Sequence, residues 1–186
     1  TGEIILGAQA LTLNNTADTS TSTVISGSGG VLKTGVNTIT LNAASTYSGG
    51  TTLTGGKTIA ANAAAFGTGT VTLNGGTIQL NNTYTLANAI ALLAGGTSTI
   101  DVNGYDTTLS GAISGGAAGN FNLTNNVSAP VMVTLNGANT YTANTLIPTN
   151  ITIGLGNATA LGAGNATFSG GGLKALSGYT IANPMS

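Results

Sequence analysis

Apolar and polar residues alternate in many short runs along this chain. Thr38–Leu41, Thr70–Leu73 and Thr77–Leu80 are examples. A period of two is typical of a strand with one buried face. Glycine or asparagine interrupts these runs, as at Tyr47–Gly50 and Asn74–Gly76, and glycine turns the chain sharply because it tolerates positive φ. The pattern predicts short strands joined by tight corners.

One segment, Leu86–Ala94, has a weak helical pattern over nine residues. Its counterpart near the end of the chain, Ile181–Met185, contains Pro184, which a helix interior does not accommodate. We therefore predict strands on either side of Asn88.

The stretch Asn37–Leu53 recurs later in the chain as Val133–Leu146. The offset is 94 residues up to Phe66 and 95 after it, which places a one-residue slip near Leu161. The second copy is about six residues longer across Asn120–Pro130, and we expect a surface loop there. Equivalent pairs are Leu41 and Leu135, Asn42 and Asn136, Tyr47 and Tyr141, Ile59 and Ile153, Gly75 and Gly170, and Tyr84 and Tyr179.

Internal repetition with short strands and regular corners predicts an all-β fold, a β-solenoid. We expect one continuous solenoid over residues 1–186, with repeat boundaries near 1–90 and 91–186. It would have about eight to ten coils of roughly 18–25 residues and form a rod about 40–45 Å long. The predicted inward residues are Ile39, Leu41, Leu53, Ile59, Val71, Leu73, Ile78 and Leu80.

Charge is scarce: three lysines, four acids and a net charge of −1, with no Arg, His, Cys or Trp. Nucleic-acid binding needs a cluster of Lys and Arg, so nucleic acid is not an expected partner. No apolar stretch approaches the length of a membrane helix, and we expect no membrane insertion by this segment. Without cysteine the chain forms no disulfides, which suits an exported protein but also many cytosolic ones.

Candidate catalytic residues are few. A nucleophilic triad lacks its His or Cys, and a Ser–Lys pair would have to use Lys33, Lys57 or Lys174, which we expect to be solvated surface charges. Asp101 and Asp106 are the only close acid pair and could serve a glycosidase or bind Ca²⁺. The turn at Asn103-Gly104 favours capping instead. We therefore predict no catalytic, cofactor-binding or metal site, and no enzyme.

Tyrosine and threonine suggest two further kinds of surface. Tyr47, Tyr84, Tyr141 and Tyr179 could stack on sugars, but their spacing by whole repeats favours repeated corners. Threonine pairs such as Thr38/Thr40 and Thr70/Thr72 could order water, as ice-binding proteins do, although they are unevenly spaced. Neither pattern identifies a ligand.

The residues Thr38–Leu41, Ser45–Leu53 and Gly55–Ile59 together resemble the passenger-associated transport repeat, whose pattern is roughly G-T-L-T-L-S-G-x-N-T-Y-S-G-G-T-T-I-x-x-G-T-L. Here Asn37 replaces the leading Gly and Ser45 the Asn. The second copy keeps Asn139–Tyr141 but has Thr142–Asn144 in place of Ser-Gly-Gly. The repeat occurs in autotransporter passenger domains of Gram-negative bacteria. The resemblance implies a right-handed parallel β-helix, export across the outer membrane and surface display, with no catalysis.

The leading functional expectation is a structural stalk segment of an extracellular or surface-displayed passenger protein, whose partners are neighbouring coils. We expect it to be a piece of a longer protein or a processed subunit, since the sequence contains neither a signal peptide nor the family's membrane barrel. A second hypothesis is a subunit that stacks end to end with identical subunits in a fibre, because the two copies are cut in phase. A third is an adhesin that binds host or matrix glycans through its Thr, Asn and Tyr side chains.

Overall fold

The chain folds into parallel strands stacked coil upon coil. The structure, a computed structural model, describes residues 2–93, 97–116 and 119–186. Within those ranges the ordered elements are strands, with no α-helix. Every pairing between these strands is parallel. The predicted all-β solenoid is confirmed.

The strands are short because a corner follows after only three to five residues. In chain order they are β1 (Glu3–Ile5), β2 (Leu11–Leu13), β3 (Thr19–Thr21), β4 (Val24–Ser26), β5 (Val31–Lys33), β6 (Ile39–Leu41), β7 (Thr51–Leu53), β8 (Lys57–Ala60), β9 (Val71–Leu73), β10 (Thr77–Leu80), β11 (Tyr84–Leu86), β12 (Ile90–Leu92), β13 (Ser98–Asp101), β14 (Thr107–Leu109), β15 (Ile113–Gly115), β16 (Asn120–Thr124), β17 (Val131–Leu135), β18 (Asn144–Pro148), β19 (Ile151–Leu155), β20 (Ala166–Ser169) and β21 (Gly172–Ala175).

Successive strands belong to different sheets, so the chain winds around a common core. The sheets have eight strands (β20-β18-β16-β13-β10-β8-β6-β3), six (β15-β12-β9-β7-β5-β2), five (β11-β14-β17-β19-β21) and two (β1-β4). The eight-stranded sheet receives one strand from each turn, which gives about eight turns. This number lies at the lower end of the predicted range.

Coil length varies because corners differ in size. The shortest steps are 19 residues, from Ile39 to Thr58 and from Val71 to Ile90, and the longest is 26, from Thr107 to Val133. The long step contains the residues between β16 and β17, which confirms the predicted loop in the second copy.

The segment with a helical pattern forms strands instead. Tyr84–Leu86 and Ile90–Leu92 are β11 and β12, and the buried Asn88 lies in the corner between them. This confirms the predicted break at Asn88. Ala94, at the end of that segment, lies outside the described residues.

Alternation places one side chain of every two in the core. Seven of the eight predicted inward residues are buried, and the exception is Ile59, which is half-buried. In β8 the inward residues are Thr58 and Ala60, because Thr58 pairs with both Ile39 and Ile78. The register with neighbouring coils decides which face turns inward, and a shift of one residue reverses it.

The register between coils also shows where the offset between the two copies changes from 94 to 95 residues. Ile39 pairs with Thr58, whereas its counterpart Val133 pairs with Ile153. Thr58 and Ile153 differ by 95 residues, so the equivalence of Ile59 with Ile153 is wrong. The extra residue enters at the corner before β19, earlier than the predicted position near Leu161.

The two copies also lie on different faces of the solenoid. Thr51 is in the six-stranded sheet, and its counterpart Thr145 is in the eight-stranded sheet. Strand pairing connects Thr51 to Val71, Ile90 and Ile113 in three successive turns. One turn later, Thr140 N donates to Ile113 O. Thr145 then follows on the next face. One sequence repeat therefore makes four turns and one additional face.

Lys33 contradicts its prediction as a surface charge, because its side chain is fully buried. It stands in an inward column formed by Leu13, Lys33, Leu53, Leu73 and Leu92. Its Nζ donates to Gly35 O. Burial lowers the pKa of the Lys33 ammonium because the charged form loses its hydration.

Replacing Lys33 with Leu should stabilise the fold. The substitution completes the leucine column and removes a poorly compensated ammonium, so we expect unfolding to cost about 1–2 kcal/mol more at neutral pH. Chemical denaturation measures this gain. Lys174→Leu, on the exposed part of β21, is the control for the lost charge and should leave the midpoint nearly unchanged. A destabilised Lys33→Leu variant would show that the lysine is needed structurally.

Candidate functional site

A buried tyrosine occupies the first corner that resembles the transport repeat. Tyr47 is fully buried, and its hydroxyl bonds to Thr51 Oγ1. Thr51 Oγ1 itself donates to Phe66 O at 3.3 Å, so Tyr47 is the donor of the first bond. The tyrosine is thus anchored to its own coil and, through Thr51, to the next one.

Gly67 and Asn88 complete this corner from the two following coils. Gly67 has φ +62, and a Cβ there would lie 2.3 Å from Tyr47 O and 3.0 Å from ring atoms. Asn88 Nδ2 donates to Gly67 O at 3.1 Å and to Gly69 O at 2.8 Å. We call Tyr47, Thr51, Gly67 and Asn88 the first corner stack. It ties three consecutive coils together.

The second copy builds the same arrangement from Tyr141, Thr145, Gly162 and Asn183, which we call the second corner stack. The Tyr141 hydroxyl lies 2.7 Å from Thr145 Oγ1. A Cβ on Gly162, which has φ +60, would lie 2.4 Å from Tyr141 O. Asn183 Nδ2 donates to Gly162 O at 3.1 Å and Gly164 O at 2.8 Å. The repeated sequence therefore encodes a repeated structural corner.

The two stacks differ beside the tyrosine. Asn139, the counterpart of Ser45, accepts from Ile113 N at 2.7 Å and donates to Ala160 O at 2.7 Å. Ser45 Oγ accepts from Ile25 N at 3.2 Å. Asn139 therefore links its coil both to the preceding coil and to the following one. Phe121 also packs edge-on against Tyr141, with ring centroids 5.5 Å apart.

The other two tyrosines in the predicted corner series behave differently. Tyr84 begins β11 and donates to Asn81 Oδ1 at 3.3 Å. Tyr179 is exposed and donates to Gly156 O at 3.0 Å. The predicted repeated corner is confirmed for Tyr47 and Tyr141, which are both buried. Tyr84 instead lies at the start of a strand, and Tyr179 is exposed.

Burial also governs ionisation in the corner stacks. Desolvation raises the pKa of Tyr47 and of Tyr141 to about 12, because a buried phenolate would lose its hydration. The hydroxyl of Thr51 or Thr145 opposes part of this rise. Both phenols are therefore neutral throughout the physiological range.

Asp101 is buried in a polar cluster that sequence reasoning missed. Its carboxylate accepts from Gln79 Nε2 at 2.6 Å, from Asn126 Nδ2 at 2.5 Å and from Asn103 N at 3.0 Å. The contact with Asn103 is the Asx turn favoured by the sequence. The two amides come from the coils before and after, so Asp101 also links three coils.

Asp106 has a separate structural contact: its Oδ1 accepts from Met132 N at 2.7 Å in the next coil. Both acids thus bond to amide groups. Among the described residues no three His, Cys, Asp or Glu side chains are grouped so as to hold a metal ion. In the same part of the chain no helix is both long and apolar enough to span a membrane.

The threonine pairs do not form one continuous surface. Thr40 lies in the eight-stranded sheet beside Ile59, whereas Thr72 lies in the six-stranded sheet between Thr52 and Ala91. Aliphatic neighbours therefore interrupt the outward rows of hydroxyl groups.

Comparisons with protein-family models, with curated proteins and with solved structures return no match to this chain.

Gly67→Ala should destabilise the protein by at least about 2 kcal/mol, since it combines a strained positive φ with a clash against Tyr47. Chemical denaturation measures the loss. Gly7→Ala is a matched control: Gly7 has φ +52, but its Cβ would meet no atom of the described residues within 4 Å. Equal losses in the two variants would show that the contact with Tyr47 contributes nothing beyond backbone strain.

Stability should fall as pH rises from about 10 to about 12. Tyrosine ionises near 10 in the unfolded chain, whereas the pKa of Tyr47 and Tyr141 in the fold is about 12. The stabilisation is therefore complete below pH 10 and is lost through this window, by about 2–3 kcal/mol per tyrosine. Unfolding free energies measured across the window test this. The double variant Tyr47→Phe/Tyr141→Phe should show a much shallower decline, and an unchanged slope would contradict the assignment.

Proposed function

We propose that this chain is a structural β-solenoid segment of a secreted or surface-displayed protein of a Gram-negative bacterium. Its role is to fold into a rod that supports export and projects attached segments from the cell. The observation that carries this proposal is the structural role of the motif that resembles the transport repeat. Tyr47 and Thr51 are buried in a corner stack, and Tyr141 and Thr145 build that stack again.

Coil stacking supports an export role because strand pairing links only neighbouring coils. Contacts of this kind let a solenoid fold by adding one coil at a time to a folded end. Each addition buries apolar side chains and forms ladder hydrogen bonds outside the exporting membrane. The free energy of folding then favours movement of the remaining chain outward.

During this coil-by-coil folding, the corner stacks favour the correct alignment of one coil over the next. A tyrosine aligned over the wrong coil would miss the glycine that admits its backbone and the asparagine that closes it. The correct register is therefore stabilised by one corner stack in each repeat. Absence of cysteine suits the same route, since no disulfide forms before or during export.

Surface chemistry fits a stalk in an aqueous extracellular setting. Of seven charged residues, Lys33 and Asp101 are buried, so very little charge remains outside. The outward row of the six-stranded sheet carries the hydroxyl groups of Thr12, Thr52 and Thr72, and the aliphatic Leu32 lies between the first two. Neutral hydroxyl and amide groups keep the rod hydrated without strong attraction to charged surfaces.

The test places the chain between a signal sequence with an epitope tag and an outer-membrane anchor, in a Gram-negative host. We expect the tag to react with antibody on intact cells and the solenoid to resist added protease. Gly67→Ala should reduce both signals, while Gly7→Ala should retain them. Retention of the wild-type chain inside the cell, or full display of an unfolded Gly67→Ala chain, would contradict the proposal.

A further inference from the structure

A groove lies on the outer face of the eight-stranded sheet, where the ladder between β16 and β18 ends. The ladder between these strands extends through Asn122 and Leu146, yet the strands continue to Thr124 and Pro148. Pro148, which has no N–H to donate, lies where the ladder stops. The resulting groove has a volume of about 380 Å³, within the range of small-molecule sites.

This groove coincides with the departures of the second copy from the first. Leu146, Pro148 and Asn150 stand where the first copy has Thr52, Thr54 and Gly56. There β7 pairs along its whole length with the strands on both sides. The longer loop after β16 forms one wall through Asn125 and Asn126. In repeat proteins, insertions of this kind often mark a binding face.

The loop wall is held in place by amide hydrogen bonds. Asn150 Nδ2 donates to Val127 O at 2.6 Å, and Asn125 Nδ2 donates to Ala129 O at 2.9 Å. Asn126 Nδ2 is fixed by the buried Asp101 carboxylate at 2.5 Å. A ligand would therefore meet a largely preorganised wall, which lowers the entropic cost of binding.

The chemistry of the lining selects for a neutral ligand with both apolar and hydroxyl surfaces. None of the lining residues is charged. Leu146 and Pro148 supply an apolar strip, while Asn122, Thr124, Thr149 and Ser169 supply hydrogen-bonding groups around it. An asparagine amide both donates and accepts, which matches a hydroxyl group. A pyranose ring offers this combination of C–H faces and peripheral hydroxyls.

Asn122 provides a further indication that a partner is missing. Its Oδ1 is buried beside the groove and has no hydrogen-bond partner among the described residues. Buried polar atoms are usually paired because an unpaired one costs free energy. A rotation of the side-chain amide toward the groove would let a ligand hydroxyl satisfy it.

We propose that this groove, between the β16–β17 loop and β18, binds a neutral oligosaccharide. The site is independent of the stalk role, since a stalk can exist with or without it. Its apolar strip contacts a sugar face, and its amides bond to sugar hydroxyls.

The experiment probes an array of immobilised neutral and acidic oligosaccharides with the fluorescently labelled 186-residue chain. We expect retention on neutral glycans and at least about tenfold weaker binding by Asn122→Ala. Thr149→Arg, at an exposed position on the rim, should block binding equally without disturbing the core. Thr52→Ala, in the counterpart of β18 in the first copy, is the matched control and should bind normally.

Three results would overturn the proposal: no retention on any neutral glycan, stronger retention on acidic glycans, or undiminished binding by Thr149→Arg. Thermal unfolding of each variant shows that a lost signal is not caused by misfolding. The display assay reports separately on the stalk role, so failure of either proposal is distinguishable from failure of the other.

Discussion

Parallel pairing between successive coils is the constraint on which the rest of this structure depends. Each strand has only three to five residues and could not persist alone. It is stable because strands on both sides satisfy its backbone and continue its inward column. The column through Leu53, Leu73 and Leu92 shows the result: one aliphatic side chain over another at each turn. A residue's environment is thus set mainly by residues about 20 positions away.

The corner stacks reconcile this regular ladder with a chain that must turn. A corner interrupts the backbone pairing, so its polar groups need other partners. Asn88 and Asn183 supply them from the following coil, and the tyrosine fills the space beneath. Gly67 and Gly162 are required because the tyrosine backbone leaves no room for a Cβ. Because one sequence repeat makes four turns and one additional face, the two corner stacks lie on different faces of the solenoid.

Against this scaffold, polar groups in unusual places stand out. Asp101 is buried but saturated by three N–H donors, so it strengthens the link between coils. Within the described part of the chain, Lys33 is buried with a single carbonyl partner, and the side-chain oxygen of Asn122 has no partner. Lys33 and Asn122 therefore depart from the pattern of paired polar groups that keeps the solenoid stable. Asn122 lies where the ladder between β16 and β18 ends, and our proposal of a ligand site rests on this coincidence.

Sequence alone determined the solenoid, the two copies and the break at Asn88, because alternation, glycine corners and a 94-residue offset are local or countable features. It also indicated repeated corners at Tyr47 and Tyr141, whose burial only the structure shows. The equal spacing of Gly67 and Asn88 from Gly162 and Asn183 could have revealed the rest of the stacks. Tertiary structure decided the inward phase of β8, the burial of Lys33 and the shift of each copy by one face. All of these follow from register between distant coils, where a one-residue change reverses the buried side. The groove belongs to the same class, since it lies where the ladder between two such coils ends.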